Sequence, residues 1–440
     1  MEPLIRFLTL SDYNTRVVVL GCVMLGLAAG LIGPFMMLRK RSLLADATSH
    51  AMLPGIAIAF LIMHAATGNG KWLPGLLLGA LVSGLLGMLT IIWINRHSRL
   101  QDDTALAVVL SVFYGFGAAL LGLIQKLENA DAAGLSSFII GKTASMRMQD
   151  ALLIAICALI IAVLVILFFK EFAVLCFDSD FARSQGWPVA ILDVIMMGIV
   201  VVTTVIGLRA VGLVLMIALL VTPAAAARFW TQNLKHLLWI SGAFGAASCY
   251  LGAMWSSTQA NVSAGASMVL CASAIFIFSL LFGPAKGIVL RLKRQAGMRQ
   301  RTLREHLLRG IYEHEESTGQ VGMTPEQLFP IRGWGRFHIR RAARDCEREG
   351  LVYMASNGRV TCTEEGRIES RRLARNHRLW ELYMMEYADV APSHVDRSAD
   401  QIEHVLGTSL IARLEAMLPD ELIENLPDSP HVLQGAEDAT

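Results

Sequence analysis

A series of long apolar runs constrains this chain more than any other feature of its sequence. The runs lie near 17–38, 44–64, 73–94, 105–124, 150–169, 189–208, 211–229, 237–256 and 263–283. A helix needs about 20 mainly apolar residues to cross the hydrocarbon core of a bilayer, and each run has roughly that length. The sequence therefore predicts an all-α membrane domain with about nine spans, with roughly eight or ten as alternatives because little interrupts 189–229.

The chain after residue 285 has the composition of a soluble protein. Charged residues make up 17% of the whole chain, whereas a soluble protein has about 25%, and the charges are concentrated outside the apolar runs. Basic residues accumulate in the cytoplasmic loops of membrane proteins. The basic clusters at 39–41, 96–99 and 286–304 therefore predict that the soluble half lies in the cytoplasm.

An acidic residue, Asp46, lies inside the second apolar run. A lone charge in a spanning helix costs about 2.5–3.5 kcal/mol, so such a residue normally has a partner or a function. His50 is four residues further on and would share a helical face with Asp46, while Pro54 removes the helical partner of the His50 carbonyl. A carboxylate, an imidazole and a free carbonyl this close together could bind a divalent cation in transit. The alternative is a pair that only packs two helices together.

Glycines recur at helical spacing within the apolar runs, for example at Gly26 and Gly30 and at Gly75 and Gly79. Small side chains let the backbones of two membrane helices approach closely. We therefore predict that these positions are contacts between helices, and that pore lining is the weaker interpretation.

A polar insert interrupts the apolar runs at 177–189. Phe177, Phe181 and Ala182 would form an apolar stripe on a short helix there. Gly186 can end that helix, because glycine readily adopts the left-handed conformation at a helix C-terminus. The insert is either an interfacial loop helix or a docking helix for a cytoplasmic partner.

Three stretches of the membrane half together carry a family resemblance. They are LLADATSHAMLPG at 43–55, FDSDFARSQGWP at 177–188 and VGLVLMIALLVTPAA at 211–225. In this order they resemble the membrane subunits of bacterial ABC importers for manganese, zinc and iron, and the resemblance covers about 1–285. It implies that Asp46 and His50 contact the metal ion in the transport path.

The same resemblance implies several partners. A permease of this type pairs with a second permease, as a homodimer or a heterodimer, and binds two ABC ATPase subunits, while an extracytoplasmic metal-binding protein delivers the ion. The insert would sit against the ATPase through Phe177, Asp178, Phe181, Ala182, Arg183 and Gly186.

The soluble half begins with three predicted helices: the first covers 302–318, the second begins after Thr324, and the third covers 336–348. A hairpin is predicted next, because Asn357 and Gly358 separate two short β-prone runs. Helices followed by a hairpin form a winged helix-turn-helix, to which we assign 302–372. The third helix carries a row of arginines, Arg336, Arg340, Arg341 and Arg344. Such a row favours contact with DNA phosphates, and a solvated face with local acidic partners is the alternative.

A second cluster of metal-ligating residue types lies in 373–418. It comprises His377 and Glu381, four apart, and Asp400, Glu403 and His404, which would share one helical face. Carboxylates with imidazoles suit Mn²⁺, Fe²⁺ or Zn²⁺. The seven cysteines form no C-x-x-C pair, so a thiolate site is not predicted. The alternative is a surface helix with ordinary charged residues.

Five stretches of the soluble half resemble the metal-dependent repressors of the diphtheria-toxin-repressor type, including the manganese-responsive ones. They are RGIYE at 309–313, EREGLV at 347–352, TEEGR at 363–367, NHRLWE at 376–381 and IEHVL at 402–406. The resemblance covers about 302–418 and implies metal ligands at His306, His377, Asp400, Glu403 and His404, with Glu381 at a further ligand or anion-site position.

Two residues depart from the repressor pattern. His306 stands where these repressors have Asp or Met, and Arg309 stands where the manganese-responsive members have a ligating Glu. Because a guanidinium is a cation and cannot coordinate a metal ion, the second departure argues against a two-metal manganese site.

The sequence thus predicts five segments. They are a permease domain over 1–285, a basic juxtamembrane linker over 286–301, a winged helix-turn-helix over 302–372, a helical metal-binding and dimerisation module over 373–418, and an acidic, flexible tail over 419–440. We predict a permease subunit of an ABC transporter that imports Mn²⁺, or alternatively Zn²⁺ or Fe²⁺, with a metal-responsive cytoplasmic domain. The alternative function is a membrane-tethered, metal-dependent transcriptional regulator. No nucleophile–base arrangement suggests an enzyme, so a separate ATPase subunit would drive transport.

Overall fold

The computed structural model describes residues 12–39, 43–67, 72–126, 143, 146–259, 262–324, 336–356, 358–387 and 408–417. The chain divides into two units, Met1–Arg291 and Leu292–Thr440, and each unit has its own buried apolar core. Three predicted features lie outside the described residues: the helix after Thr324, the helical face at 400–404, and the tail over 419–440.

The described part of the first unit is entirely helical apart from its connections. Its helices are α1 (Tyr13–Leu38), α2 (Leu44–Thr67), α3 (Leu73–His97), α4 (Asp102–Gln125), α5 (Met148–Leu167), α6 (Phe169–Phe177), α7 (Ser179–Ser184), α8 (Val189–Val211), α9 (Leu213–Ala227), α10 (Leu234–Thr258) and α11 (Ala264–Phe282). A membrane forces this outcome, because backbone polar groups in hydrocarbon must be satisfied within the segment itself.

Eight of these helices are long and apolar enough to cross a bilayer among the described residues, namely α1 to α5, α8, α10 and α11. The run predicted near 211–229 forms α9, which has 15 residues and is shorter than a span. Gly212 separates α8 from α9 with a φ of 91°, a conformation that glycine adopts at little cost. The predicted polytopic all-α domain is therefore confirmed, with eight helices of spanning length and one shorter apolar helix.

Close glycine contacts bring several membrane helices together, as predicted. A Cβ atom at Gly26 would lie only 2.3 Å from the Gly245 carbonyl oxygen of α10, and one at Gly79 would lie 2.4 Å from that of Gly55 in α2. The Ser241 hydroxyl also donates to the Gly30 carbonyl oxygen at 2.5 Å. These contacts pack α1 along α10 and α2 along α3, which fixes the helix that carries Asp46 and His50.

The polar insert is built from more helix than the sequence predicts. The fifth span ends at Leu167, and a separate nine-residue helix, α6, follows it before the insert begins. The Asp178 side chain then caps α7 by accepting a hydrogen bond from the Phe181 backbone N–H at 2.8 Å. Gly186 ends this segment with a φ of 78°. The short helix and its terminating glycine therefore agree with the prediction, and the capping role of Asp178 is a structural finding.

The second unit contains helices and one β-hairpin. Its elements are α12 (Ile288–Thr318), which begins just before the unit boundary, α13 (Arg336–Arg348), β1 (Val352–Met354), β2 (Val360–Cys362), α14 (Glu364–Tyr387) and α15 (Thr408–Met417). The predicted helix over 302–318 thus begins earlier than expected and takes in most of the predicted linker. The helix predicted over 336–348 is confirmed.

The hairpin and the two helices before it share one core. The strands are antiparallel, with Tyr353 opposite Thr361, and Gly358 turns between them with a φ of 78°. The buried core residues come from α12, α13 and both strands: Leu307, Leu308, Ile311, Ile339, Ala343, Cys346, Val352 and Val360. The predicted hairpin is therefore present and packs against α12 and α13.

Candidate functional site

The predicted acid–imidazole pair of the membrane unit forms near the start of α2. An oxygen of the Asp46 carboxylate, Oδ1, lies 3.3 Å from Nε2 of His50, and neither side chain is fully buried. Asp46 lies in the first turn of α2, where the partial positive charge of the helix N-terminus favours a carboxylate. His50 Nδ1 is buried and makes no hydrogen bond to any residue that the structure describes. The pair therefore has a shared face and one imidazole nitrogen without a described partner.

Tyr114 completes this site from a neighbouring helix. Its ring meets the His50 imidazole edge to face, with centroids 5.0 Å apart and planes at 86°. One turn further along α4, a Cβ atom at Gly117 would lie 2.7 Å from Leu53 Cβ and 3.0 Å from Pro54 Cδ. Glycine at 117 therefore allows α4 to approach α2 closely enough for Tyr114 to hold the imidazole.

The sequence does not identify Tyr114 as a site residue, because its contact with His50 is tertiary. The available signal was a tyrosine in an apolar helix with a glycine three residues later, which places both on one face. Many such pairs serve only packing, so the spacing alone does not identify a site.

The insert presents aromatic side chains to its surroundings. Phe177 is 68% exposed and Phe181 is 53% exposed, whereas Ala182 is buried. The predicted stripe is therefore divided, because Ala182 packs inward while the two phenylalanines point outward. Arg183 lies 3.5 Å from Asp180 in an exposed ion pair. Two exposed phenylalanines on a polar segment form an apolar surface suited to a protein partner.

The base of the insert is tied to two spanning helices through Arg39, which the sequence analysis treated only as a topological cation. The Arg39 guanidinium donates to the Leu175 carbonyl oxygen of α6 at 3.0 Å and lies 3.2 Å from Asp193 of α8. Just before it, Phe35 packs edge to face on Phe172 of α6, with ring centroids 5.5 Å apart. The end of α1 is therefore a junction between the insert and the membrane helices.

The predicted metal-binding residues of the second unit are only partly described. His306 in α12 and His377 in α14 are both buried, and His377 Nε2 lies 3.2 Å from Glu381 Oε1. Asp400, Glu403 and His404 lie outside the described residues. Among the described residues, no group of three or more potential ligands is arranged to hold a metal ion.

An arginine occupies the space beside His377. Arg309 is 1% exposed, and its Nη1 donates to Nδ1 of His377. On its other side, the Arg309 Nε lies 3.2 Å from Glu313 Oε1. A buried guanidinium is tolerated only when such partners compensate its charge. Arg309 therefore links α12 to α14 at the position where the repressor resemblance implies metal ligands.

Other ion pairs join α14 to its neighbours. Arg378 pairs with Glu316 of α12, and this hydrogen bond raises the pKa of the Arg378 guanidinium above its ordinary value. The Arg375 guanidinium lies 2.9 Å from Glu415 of α15, and both side chains are largely buried. These pairs fix α14 between α12 and α15 independently of His377.

The cysteines of the second unit are poor candidates for metal ligands. Burial raises the pKa of the Cys346 thiol to about 12 and that of Cys362 to about 11. Because the thiolate is the form that binds metals, both side chains remain in a non-ligating form near neutral pH.

The arginine row of α13 faces away from the core. Arg340, Arg341 and Arg344 are exposed, whereas Ile339 and Cys346 of the same helix are buried. Arg336 is the first residue of this helix. The helix is thus strongly amphipathic, with a basic outer face next to the hairpin.

Comparisons with known proteins agree with these two units. Residues 11–283 match the model of the ABC 3 transport family, and residues 363–430 match the model described as iron dependent repressor, metal binding and dimerisation domain. The manganese transport system membrane protein MntC of Bacillus subtilis (strain 168) is 38% identical over 391 residues, which covers 89% of this chain and 88% of that protein. This match is longer than the first unit, so it extends into the second.

Two further matches concern the membrane unit. The zinc transport system membrane protein TroC of Treponema pallidum (strain Nichols) is 41% identical over 295 residues, or 67% of this chain and 97% of that protein. The solved structure of PsaBC from Streptococcus pneumoniae in complex with Fab aligns with a TM-score of 0.56 and 30% identity. It covers 66% of this chain and 99% of the matched chain.

Proposed function

This chain belongs to the ABC 3 transport family, and from that premise we propose that it is the permease subunit of an importer for Mn²⁺, with Zn²⁺ or Fe²⁺ as alternative substrates. It is a multi-pass membrane protein with a C-terminal domain of the iron-dependent repressor type. The observation that carries the proposal is the Asp46–His50 pair in a spanning helix. The choice of Mn²⁺ is supported by the manganese relative, whose similarity extends over both units.

We propose that the ion passes Asp46 and His50 on its way across the membrane. Carboxylate oxygen and imidazole nitrogen are ligands for divalent transition metals. Tyr114 would position the imidazole by its edge-to-face contact. The exposed fractions of Asp46 and His50, 35% and 21%, support access by an ion.

We propose that the insert couples this path to ATP hydrolysis on a separate ATPase subunit. Phe177, Phe181 and Arg183 would contact that subunit, with Asp178, Ala182 and Gly186 holding the short helix in place. Arg39 would transmit a conformational change of the insert to the membrane helices, because it joins α6 to α8 and lies just before the helix that carries Asp46. An extracytoplasmic metal-binding protein and a second permease, identical or different, would complete the importer.

We propose that the second unit is a cytoplasmic sensor of the imported ion. Its α12, α13 and hairpin would form a winged helix-turn-helix, and its metal ligands would come from His306, His377, Glu381, Asp400, Glu403 and His404. The exposed arginines of α13, with Arg336, could contact DNA phosphates. A membrane-tethered transcriptional regulator whose membrane unit is only an anchor is the alternative.

Transport and anchoring are separated by an uptake experiment. The purified chain, reconstituted into proteoliposomes with its ATPase subunit, should accumulate radiolabelled Mn²⁺ only with hydrolysable ATP. Unlabelled Zn²⁺ and Fe²⁺ should compete in proportion to their affinity for the path. If no divalent ion accumulates while the chain binds promoter DNA in a metal-dependent way, the regulator is the correct function.

Coupling is tested by Phe177→Asp combined with Phe181→Asp. This change should abolish ATP-driven uptake and leave the permease inserted, because the apolar docking surface is lost while both side chains lie outside the core. Tyr13→Asp is a matched control, because Tyr13 is also an exposed aromatic residue at the end of a helix. Unchanged metal-stimulated ATP hydrolysis in the phenylalanine variant would rule out the insert as the docking site.

A further inference from the structure

We infer that the Arg309 guanidinium is a built-in cation that competes with a metal ion for His377, and so sets the metal concentration to which the second unit responds. The inference rests on the proposed sensing role. It concerns one buried cluster that joins α12 to α14: Arg309, Glu313, His377 and Glu381.

The hydrogen bonds of this cluster determine which tautomer of His377 is present. An arginine side chain only donates hydrogen bonds and stays charged at any physiological pH, so its contact with His377 Nδ1 requires a lone pair on that nitrogen. The ring proton of a neutral imidazole then lies on Nε2. Glu381 Oε1 is 3.2 Å from Nε2, in position to accept a hydrogen bond from this N–H. Both ring nitrogens are therefore engaged by the protein itself.

A metal ion can bind His377 only by replacing one of these two partners. A histidine ligand offers a lone pair to the metal and usually donates its other N–H to an oxygen. His377 already has that arrangement, with Glu381 as the oxygen partner and Arg309 in the place of the metal. The guanidinium must therefore leave Nδ1 before an ion can bind there.

The surrounding residues fit this interpretation. His306 is one turn from Arg309 on α12 and is also buried. Glu313 is a carboxylate that neutralises the guanidinium and would be available to a dication once Arg309 moved away. The cluster thus has an internal cation, two carboxylates and a nearby second imidazole, so one positive charge can take the place of another.

The competition has a definite thermodynamic consequence. When only a fraction of molecules has the ligand available, the apparent dissociation constant rises by the inverse of that fraction. A tethered, buried guanidinium keeps the fraction small. Removal of the charge should therefore tighten metal binding, whereas removal of a purely structural arginine should loosen it or leave it unchanged.

The experiment measures Mn²⁺ binding to the full chain in lipid nanodiscs by calorimetry. Asp46→Ala and His50→Ala are present throughout, so that the transport path contributes no binding. Arg309→Met keeps the length of the apolar stem and removes the charge. We expect this variant to bind Mn²⁺ about tenfold more tightly or better than the parent chain. Arg375→Met is the matched control, because Arg375 is a largely buried arginine of the same unit that pairs with Glu415 of α15.

Each result has one meaning. Tighter binding in Arg309→Met alone supports the competition. Equal or weaker binding overturns it while the sensing role stands, and absence of binding in every variant overturns the sensing role itself. If Arg309→Met does not fold, Arg309→Lys replaces it. The compact ammonium of lysine lacks the forked geometry that spans His377 and Glu313. The Arg309→Lys variant should therefore bind Mn²⁺ several-fold more tightly than the parent. Binding by Arg309→Lys that is no tighter than the parent's would overturn the inference.

Discussion

The two units each contain a carboxylate and an imidazole four residues apart on one helix, yet the two pairs have different surroundings. In the membrane unit, Asp46 and His50 are 3.3 Å apart, and His50 Nδ1 contacts no described hydrogen-bonding group. In the second unit, His377 and Glu381 are 3.2 Å apart, and Arg309 holds His377 Nδ1. The same spacing thus produces an open pair in one unit and a pair closed by a cation in the other.

This difference shows that a neighbouring helix determines what such a pair can do. Spacing on one helix brings the carboxylate to the imidazole, but the residue that meets the second nitrogen comes from another helix. For His50 the neighbouring element contributes the ring of Tyr114, which orients the imidazole without taking its nitrogen. For His377 the neighbouring helix contributes the guanidinium of Arg309. In the inferred competition, the pair has a structural role until a metal ion displaces that guanidinium.

The open pair should be indispensable for transport. Asp46→Ala or His50→Ala should reduce ATP-driven Mn²⁺ uptake by at least about 100-fold, since losing one of two ligands to a dication costs several kcal/mol. His64→Ala is a matched control, because His64 lies on the same helix and stacks on Phe60. Uptake at the wild-type rate in both variants, at equal membrane levels, would remove Asp46 and His50 from the path.

The closed pair should become open when the cation is replaced by an acid. Arg309→Glu places a third carboxylate beside Glu313 and Glu381, and their repulsion should loosen the contact between α12 and α14 until a dication binds. Mn²⁺ at about 100 times its dissociation constant should then restore about 2.7 kcal/mol of protection. Hydrogen exchange of α12 and α14 peptides in the full chain measures this.

Arg375→Glu, in α14, is the control for that experiment. It also reverses the charge of a buried arginine, but it creates no carboxylate cluster around His377. Exchange in this variant should rise and stay high with Mn²⁺. If Mn²⁺ protects both variants equally, or neither, the cluster around His377 does not act as a cation site.

Much of the architecture could be predicted because few physical solutions exist for such a sequence. Apolar runs of spanning length must be helical in a bilayer, and Asn357-Gly358 between β-prone runs specifies a hairpin. Hydropathy divides 189–229 into two runs of spanning length, but it does not predict that the second run forms only the 15-residue α9, because helix ends depend on backbone conformations such as that of Gly212. The early start of α12 was missed because its basic first turns lack the apolar periodicity that signals a buried helix.

The site was predictable only along single helices. The spacing of Asp46 and His50, and that of His377 and Glu381, correctly gave pairs in contact. Their partners Tyr114 and Arg309 are 64 and 68 residues away from His50 and His377. No local pattern connects residues so far apart in the sequence. The identity of Arg309, a cation at a position where the repressor resemblance implies a ligand, nevertheless indicated a departure from the repressor metal site.

Tyr114 should have a moderate effect that depends on its ring. Tyr114→Leu removes the edge-to-face contact with His50, worth about 1 kcal/mol, so uptake should fall about fivefold to tenfold as the imidazole loses its orientation. Tyr114→Phe keeps the ring and should retain most of the uptake. Initial uptake rates at several Mn²⁺ concentrations distinguish these outcomes. Equal losses in both variants would instead assign the function to the phenolic hydroxyl.

The smallest expected effect comes from replacing the carboxylate of the closed pair, Glu381, by its amide. Glu381→Gln should lower the protection of α14 against hydrogen exchange by about 1 kcal/mol without added metal, because the amide oxygen still accepts the His377 N–H but loses the assistance of charge. Glu316→Gln, at an exposed pair with Arg378, should change it by less than about 0.5 kcal/mol.

Asp46→Asn makes the same replacement in the open pair and should give the opposite result. An amide is easier than a carboxylate to place in a membrane helix, so α2 should be at least as well protected as in the parent, while uptake should be lost with the ligand charge. A structural pair loses stability when its charge is removed, and a transport pair loses activity. If Asp46→Asn instead unfolds α2 and Glu381→Gln leaves α14 unchanged, the roles assigned to the two pairs are reversed.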